Sequence, residues 1–335
     1  MAKTINPDNL KENTMELVHE ESQTILMNST LQCMNKLIPL LQQKDIYEVY
    51  LNPDHRVWTL SNSKGKELTD ILVSPEEAQL IIRNIAAIDQ RLIDEETPTV
   101  DAKIPANEAF SMCRFHGDLP PIVENPVFNI RKHAETIYTL EDYVKQETMS
   151  QKQYDILREA IHGHKNIIAA GGTGSGKTTL LNAILHEISG TPDRIISIED
   201  TNELQCSAED YVAMIAADKV TMDDCVKKCL RMTPNRIVVG EVRGGEALAL
   251  FTAWSTGHKG GCCTVHSNSA KETLIRLVDM TSQVAKNPQP RTIANAIDII
   301  LYIRNVNNKR WVEEIISIDD YDDVTKNFIS HRLDI

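Results

Sequence analysis

The sequence predicts an α/β fold, in which a phosphate-loop domain with a mostly parallel sheet follows a smaller α+β domain. Two observations carry this prediction. The stretch Gly171–Thr178 fits the pattern G-x-x-x-x-G-K-[ST] at every fixed position. From about residue 150 onward, short apolar strands alternate with helical patterns, which is typical of a parallel sheet covered by helices on both faces.

The phosphate-loop pattern lies between a predicted strand, residues 166–170, and a predicted helix from Leu180 that stops near Gly190. Glycines let successive backbone N–H groups turn toward an anion. Lys177 supplies positive charge at the β- and γ-phosphates, and the Thr178 hydroxyl completes the shell of a Mg²⁺ ion. A flexible glycine turn is the alternative, and the surrounding strand and helix disfavour it. The expected nucleotide-binding residues are Gly171, Gly172, Thr173, Gly174, Ser175, Gly176, Lys177, Thr178 and Thr179.

Residues 1–132 are predicted to form the N-terminal α+β domain. A helical pattern starts near Met15 and bends or ends at Pro39. Another helix starts at Pro75, after the capping residue Ser74. The apolar stripe of that helix is Ile81, Ile85, Ile88 and Leu92. Strands are predicted over residues 47–51, 57–60, 109–115 and 127–131.

Residues 133–149 are predicted to be a linker, because they are polar and no strand signal crosses them, with a short helix starting within it at Thr139-Leu140-Glu141-Asp142. The second domain, residues 150–335, opens with a capping box at Ser150. Its remaining strands are predicted over 194–198, 236–239 and 262–265. Its remaining helices are predicted over 221–230, 245–254 and 269–278. A closing antiparallel pair is predicted over 297–303 and 311–318, joined through Asn307-Asn308.

The composition favours a globular protein without a membrane span. Hydrophobic residues make up 41% and charged residues 25% of the chain, as in ordinary soluble proteins. No apolar run approaches the roughly 18 to 20 residues of a membrane span, and the N-terminus lacks a signal-peptide pattern. We therefore expect a cytoplasmic protein whose membrane contact is at most peripheral.

The charge and the cysteines exclude two further classes of protein. Acidic residues outnumber basic ones by 48 to 35, giving a net charge of −13. This balance argues against a surface devoted to nucleic acid, although a local basic groove is still possible. The seven cysteines are odd in number and form no C-x-x-C pair. We expect them to be reduced core residues rather than disulfides or zinc ligands.

Polar side chains follow three predicted strands of the second domain, at the strand ends where ligands gather in such sheets. Glu199 follows the strand that ends at Ile198, Glu241 follows the next strand, and His266 follows the third. A carboxylate there can polarise a water molecule, and a histidine can stabilise a γ-phosphate. The alternatives are a helix cap for Glu199 and a structural role for His266. Their joint occurrence with a phosphate loop favours the catalytic interpretation.

The order of these motifs resembles that of the secretion-ATPase superfamily, which includes the motors of type II secretion, type IV pili and type IV secretion. Its Walker A, Asp box, Walker B and His box correspond to residues 171–178, 198–200, 239–243 and 256–266. Leu51-Asn52-Pro53-Asp54 and Cys113-Arg114-Phe115-His116-Gly117 are most similar to the conjugative-transfer branch. The zinc-binding cysteine module of type II secretion members has no counterpart, which disfavours that branch.

The resemblance implies a RecA-like ATPase domain after a PAS-like N-terminal domain, with ATP and Mg²⁺ as cofactors. It also implies that Glu199 and Glu241 manage the attacking water and that His266 lines the γ-phosphate. Arg114 and Arg131 match the arginines that reach the nucleotide from the N-terminal domain. A guanidinium suits this role because it is always charged and can hold phosphate in a bidentate way. Surface charge on two strands is the alternative for both arginines.

The resemblance further implies a homohexamer with each nucleotide between the two domains of one subunit and a neighbour. The implied partners are inner-membrane channel proteins and coupling ATPases of a type IV secretion system. Peripheral association with the inner membrane is possible, and direct nucleic-acid binding is not expected. Gly240 stands where many phosphate-loop enzymes have an aspartate. The choice between Glu199 and Glu241 as the main catalytic carboxylate therefore stays open.

The favoured function is an ATP-hydrolysing motor that energises a type IV secretion or conjugative DNA-transfer apparatus, in pilus assembly or substrate export. A nucleic-acid translocase or helicase is one alternative, and the acidic charge and the 5% aromatic content disfavour it. A type IV pilus assembly or retraction motor is another. A nucleotide-gated scaffold without turnover is disfavoured because Lys177, Thr178, Glu241 and His266 are all present.

Overall fold

The computed structural model of the protein describes residues 23–133, 137–217, 219–287 and 289–335. The chain divides into two units, Met1–Glu135 and Thr136–Ile335. Each unit combines helices with its own β-sheet. The predicted α/β class is therefore confirmed.

The first unit is built on an antiparallel sheet of six strands in the order β3-β2-β1-β6-β5-β4. Its helices are α1 (residues 23–33), α2 (Ile38–Leu41) and α3 (Pro75–Ile88). Its strands are β1 (Ile46–Leu51), β2 (Arg56–Ser61), β3 (Gly65–Leu72), β4 (Thr99–Ile104), β5 (Cys113–Asp118) and β6 (Val127–Lys132). The predicted helix start at Met15 lies outside the described residues.

Two predictions in this unit are wrong at their boundaries. The capping box at Ser74 starts α3 as predicted, but the helix ends at Ile88, and Leu92 lies beyond it with 77% of its surface exposed. The strand predicted over 109–115 begins only at Cys113. The reason is local, because the Asn107 side chain accepts hydrogen bonds from the backbone N–H groups of residues 109 and 110, so the chain turns there.

The second unit is built on an eight-stranded sheet in the order β14-β13-β12-β7-β11-β10-β8-β9. Its strands are β7 (Ile167–Gly171), β8 (Ile195–Glu199), β9 (Tyr211–Ile215), β10 (Arg236–Val242), β11 (Cys262–His266), β12 (Ile299–Val306), β13 (Lys309–Asp322) and β14 (Asn327–Arg332). Its helices are α4 (Leu140–Lys145), α5 (Gln151–His162), α6 (Lys177–Ser189), α7 (Met222–Cys229), α8 (Glu246–Ser255), α9 (Ala270–Ser282) and α10 (Pro290–Ala296). Six neighbouring strands of this sheet run parallel to one another, in the order β12, β7, β11, β10, β8 and β9. At the other edge, β13 pairs antiparallel with both β12 and β14.

The parallel strands are continuous apolar runs because both faces of the sheet are covered. Within β7, Ile168 and Ala170 join the core formed with α7 to α10. Their neighbours Ile167 and Ala169 join the core formed with α4, α5 and α6. Buried free cysteines also fill these cores, as predicted, at Cys225, Cys229, Cys262 and Cys263. Helices packed on both faces hold the parallel strands in place, and with them the carboxyl ends of the strands, where the candidate site lies.

Of the segment predicted as a linker, residues 133–149, the described residues 137–149 belong to the second unit. A capping box at Thr139 starts α4 inside it. Leu140, Tyr143 and Met149 are buried in the core with α5 and α6. Within the described ranges, no helix combines the length and apolar character needed to cross a membrane.

Candidate nucleotide-binding site

The phosphate loop connects β7 to α6, between Gly171 and Lys177. Gly174 and Gly176 have φ values of +68° and +96°, which L side chains rarely adopt, so glycine is needed at both positions. The loop ends at the N-terminus of α6, where free N–H groups and the helix dipole favour an anion. The backbone here therefore fits the phosphate groups of a nucleotide.

Lys177 and Ser175 supply the polar side chains of the loop. Lys177 is 9% exposed, and its Nζ donates a hydrogen bond of 2.9 Å to the Gly172 carbonyl. The Ser175 hydroxyl is buried without a hydrogen-bond partner among the described residues. Thr178 and Thr179 lie half-buried in the first turn of α6. A cation folded over the loop and a buried hydroxyl without a partner are the groups that a bound phosphate could engage.

The strand order brings the other second-unit candidates to the same edge of the sheet. β11 lies next to β7, and His266 is the register partner of Gly171. β10, which carries Glu241, follows β11, and β8, which ends at Glu199, follows β10. All four strands are parallel, so their carboxyl ends meet at the edge that carries the phosphate loop.

Glu199 is buried, with 2% of its surface exposed. Its Oε1 accepts hydrogen bonds of 2.9 Å from the backbone N–H groups of Glu203 and Leu204. Its Oε2 is buried without a hydrogen-bond partner among the described residues. Burial raises the pKa of this carboxyl from 4.5 to about 7, although the two backbone hydrogen bonds act in the opposite direction. A buried acceptor atom is therefore left for a donor, a water or a metal ion to engage.

Gly240 lies directly against Glu199. A Cβ atom at position 240 would be 2.9 Å from Cγ and 3.2 Å from Oε1 of Glu199, closer than packed atoms normally approach. The Glu199 carboxyl thus occupies the space that a side chain at 240 would need. This contact accounts for the glycine at 240, because any side chain there would require the Glu199 carboxyl to shift from its buried position.

Glu241 is held by Arg243, for which the motif predicts no role of its own. Arg243 donates from Nε and Nη2 to Oε2 of Glu241, at 2.9 and 2.6 Å. It also pairs through Nη1 with Asp200 at 2.5 Å. Burial opposes the charge on Arg243, but the hydrogen bond to Glu241 and the two carboxylates outweigh it and raise its pKa. Glu241 is therefore part of an ion-pair network in this conformation.

His266 lies half-buried at the end of β11. Burial lowers its pKa, and the positive charges of Lys177 and Arg276 lower it further. The imidazole is therefore mainly neutral at neutral pH. A neutral imidazole can donate one hydrogen bond and accept another, which suits a contact with a γ-phosphate.

The described geometry is that of a phosphate-binding loop with carboxylates and a histidine along the same sheet edge. The chain matches the family described as type II/IV secretion system protein over residues 30–318. The chain belongs to this family. Conjugal transfer protein TrbB of Rhizobium radiobacter is 39% identical to it over 289 residues, which cover 86% of this chain and 88% of TrbB. The predicted resemblance to the conjugative-transfer branch is thereby confirmed.

A second relative and a solved structure were also compared with the chain. Type IV secretion system protein VirB11 of Bartonella henselae is 27% identical over 332 residues, covering 84% of this chain and 92% of VirB11. The crystal structure of the pilus retraction motor PilT with bound ADP superposes with a TM-score of 0.60 and 19% identity. That superposition covers 80% of this chain and 77% of PilT. At this identity the likeness shows the fold alone.

The two candidate arginines of this secretion-family chain lie in its first unit. Arg114 on β5 and Arg131 on β6 are direct cross-strand partners, and Lys103 on β4 is the other partner of Arg114. Glu48 on β1 is the partner of Arg131 on its other side. Like charges directly opposite each other on a sheet are destabilising. Lys103, Arg114 and Arg131 thus form a row of three basic residues on adjacent strands, and Glu48 lies at the end of the row beside Arg131.

Glu199→Gln is expected to stabilise the nucleotide-free protein at high pH and to have little effect at low pH. The folded-state pKa of about 7 exceeds the ordinary value of 4.5. Between these pH values Glu199 ionises in the unfolded chain but stays protonated in the folded one, so the folded protein loses stability as the pH rises. Glutamine keeps the shape and cannot ionise. The difference in Tm between variant and wild type should therefore grow from about pH 4.5 to pH 8.

The exposed Glu209 provides a matched control. Glu209→Gln removes the same charge from the surface, and its Tm difference should stay nearly constant over this range. A constant Tm difference for Glu199→Gln as well would contradict the assignment of a raised pKa to Glu199.

Proposed function

We propose that the protein is an ATPase that energises a type IV secretion or conjugative DNA-transfer apparatus, through pilus assembly or substrate export. The observation that carries the proposal is the phosphate loop, with Lys177 folded over it and Glu199, Glu241 and His266 along the same sheet edge. Membership of the type II/IV secretion family supports the biological role. The name of the TrbB relative supports conjugative transfer in particular.

In the proposed reaction, each residue of the edge has a separate task. The loop N–H groups and Lys177 bind the β- and γ-phosphates of ATP, and Thr178 holds the Mg²⁺ ion. When bound, Mg²⁺ neutralises charge that develops on the phosphates. Glu199 and Glu241 orient and polarise the attacking water, and His266 donates a hydrogen bond to the γ-phosphate. Glu241 would first exchange its hydrogen bonds with Arg243 for a contact with the water, because both of those bonds are made to its Oε2.

We further propose that the second unit is a RecA-like domain, that the first is PAS-like, and that six copies form a ring. Each nucleotide would then be shared with a neighbouring subunit, and Arg114 and Arg131 would reach its phosphates. Such a ring would work in the cytoplasm against the inner membrane. Its partners would be the channel proteins and coupling ATPases of the apparatus.

Steady-state phosphate release by the purified chain tests the enzymatic part of the proposal. ATP with Mg²⁺ should be hydrolysed, and added DNA should leave the rate and its salt dependence nearly unchanged. Mating assays with donor cells that lack this protein test the biological part, since only the wild-type chain should restore transfer and Glu241→Gln should not. Absent turnover would overturn the ATPase assignment. Turnover without any effect on mating would overturn the transfer assignment alone.

Gly240→Asp alone is expected to lower hydrolysis by about 10²-fold, comparable to the loss of one stabilising group in an active site. The new side chain would clash with Glu199 and place two carboxylates in one site. Glu199→Ala should be impaired to a similar extent because the buried carboxylate is lost. The double variant Glu199→Ala/Gly240→Asp moves the carboxylate from β8 to β10. Its rate of ATP hydrolysis should be about tenfold higher than that of either single variant.

The control for this exchange is Glu199→Ala/Gly240→Asn. Asparagine fills the same space without a charge, so the rate of hydrolysis should not rise above that of the single variants. Both turnover and the Mg²⁺ concentration needed for tight ATP binding should be measured. A double variant whose loss equals the product of the two single losses would show that position 240 cannot take over from Glu199.

A further inference from the structure

The hairpin formed by β12, the turn at Asn307-Asn308 and β13 contacts the outside of the phosphate loop. Asn305 Nδ2 donates a hydrogen bond of 3.0 Å to the Gly174 carbonyl, and Arg310 Nε donates to the same oxygen at 3.4 Å. Asn305 and Arg310 are cross-strand partners. We propose that these two side chains are positioning residues for nucleotide binding, which hold the phosphate loop in its anion-binding shape.

Two other glycines of the loop pack against the same hairpin. Ile303 is the register partner of Gly171, and a Cβ at 171 would lie 2.5 Å from the Ile303 carbonyl oxygen. A Cβ at Gly176 would lie 3.5 Å from Cδ of Arg310. The hairpin therefore contacts the loop at its start, its middle and its end. One element from the C-terminal part of the chain therefore contacts the loop at three separate positions.

The hydrogen bonds to Gly174 matter because glycine has the most backbone freedom of all residues. A peptide group is planar, so fixing the Gly174 carbonyl also fixes the N–H of Ser175 on the opposite side of the same plane. The Ser175 N–H itself donates to the Gly172 carbonyl at 3.3 Å, so the peptide is held from both sides. Without the two hairpin donors, only that bond within the loop would hold the peptide, and more of the loop would have to be ordered when the phosphates bind. A loop ordered in advance binds more tightly, because less conformational entropy is lost on binding.

The unpartnered oxygen of the Asn305 side chain also indicates a ligand. Its Oδ1 is buried and has no hydrogen-bond partner among the described residues. The amide orientation is fixed, since turning it would place Oδ1 against the Gly174 carbonyl. A buried acceptor without a donor is unfavourable. The side chain thus holds the loop with one atom and leaves the other to a donor that arrives with the nucleotide or its water.

The inference rests on the proposed nucleotide site, and it is tested by measuring nucleotide affinity and stability separately. Asn305→Leu keeps a similar volume and removes both polar atoms, and Arg310→Ala is the second variant. The matched control is Arg304→Ala on the same strand, whose side chain pairs with Glu313 instead. Binding of a fluorescent ATP analogue with Mg²⁺ gives Kd, phosphate release gives KM and kcat, and thermal unfolding gives Tm without nucleotide.

We expect Kd and KM to rise about tenfold for Asn305→Leu, which corresponds to the loss of one hydrogen bond. The increase should be several-fold for Arg310→Ala and absent for Arg304→Ala, while kcat stays within about twofold of wild type. The expected gain in Tm on adding the analogue should shrink in parallel with the affinity.

An unchanged Kd in both variants, whether or not Tm falls, would overturn the inference and leave only a structural tether. An equal loss for Arg304→Ala would also overturn it. These outcomes are separate from failure of the proposed function. If Lys177→Ala abolishes binding while Asn305→Leu and Arg310→Ala retain it, the nucleotide site stands and only the role of the hairpin is wrong. If the wild type binds no nucleotide, the proposed function fails, and this inference fails with it.

Discussion

Lys177→Ala is expected to lower ATP hydrolysis at saturating ATP by about 10³-fold, because transferred phosphoryl groups depend on fixed positive charge in a site that excludes water. Lys177 is the mostly buried cation of the loop, and its Nζ donates a hydrogen bond of 2.9 Å to the Gly172 carbonyl. Alanine removes the charge and leaves the backbone cradle. Phosphate release at several ATP concentrations measures the effect.

Lys165→Ala is the matched control for this substitution. Lys165 lies just before the amino end of β7, opposite the end that carries the phosphate loop, and its Nζ pairs with Asp298 at 3.0 Å. Both variants lose one positive charge, so a general effect of net charge would lower hydrolysis in both. Turnover of Lys177→Ala equal to that of the control would contradict the assignment of the loop, provided that both variants retain the Tm of the wild type.

The elements that the sequence predicted best are those buried on both faces. β7, β8, β10 and β11 are short apolar runs because each residue meets one of the two cores. β9 and β14 were missed, and both are edge strands whose residues are partly or largely exposed. Exposed edges do not need an apolar pattern, so periodicity carries no signal for them.

The composition of the candidate site was predictable, but its internal contacts were not. The phosphate loop and the acids at the strand ends follow from short motifs, whose spacing is visible in the sequence. The contact between Gly240 and Glu199 depends on β8 lying beside β10. The ion pairs of Arg243 and the hydrogen bond from Asn305 to Gly174 likewise join residues far apart in the chain. Such contacts follow from strand order, which spacing alone does not give.

Arg114→Ala is expected to lower hydrolysis on the order of 10³-fold if Arg114 supplies positive charge to the γ-phosphate, as arginine fingers do. The substitution should leave the first unit folded. Arg114 alternates along β5 with the buried residues Cys113 and Phe115, so its side chain lies on the face of the strand away from theirs. Retained Tm together with lost turnover would separate a functional arginine from a structural one. Arg56→Ala, at an exposed position of the same sheet, is the control.

Mixing two inactive variants tests whether Arg114 acts on a neighbouring subunit. Lys177→Ala subunits keep their arginines, and Arg114→Ala subunits keep their phosphate loops. In a mixed ring, an intact arginine from the first kind can face an intact loop of the second, so hydrolysis should recover in proportion to such interfaces. Dilution of the wild type below its assembly concentration should abolish hydrolysis for the same reason. If mixed rings are verified by mass measurement and no activity returns, Arg114 acts within its own subunit or has no part in the chemistry.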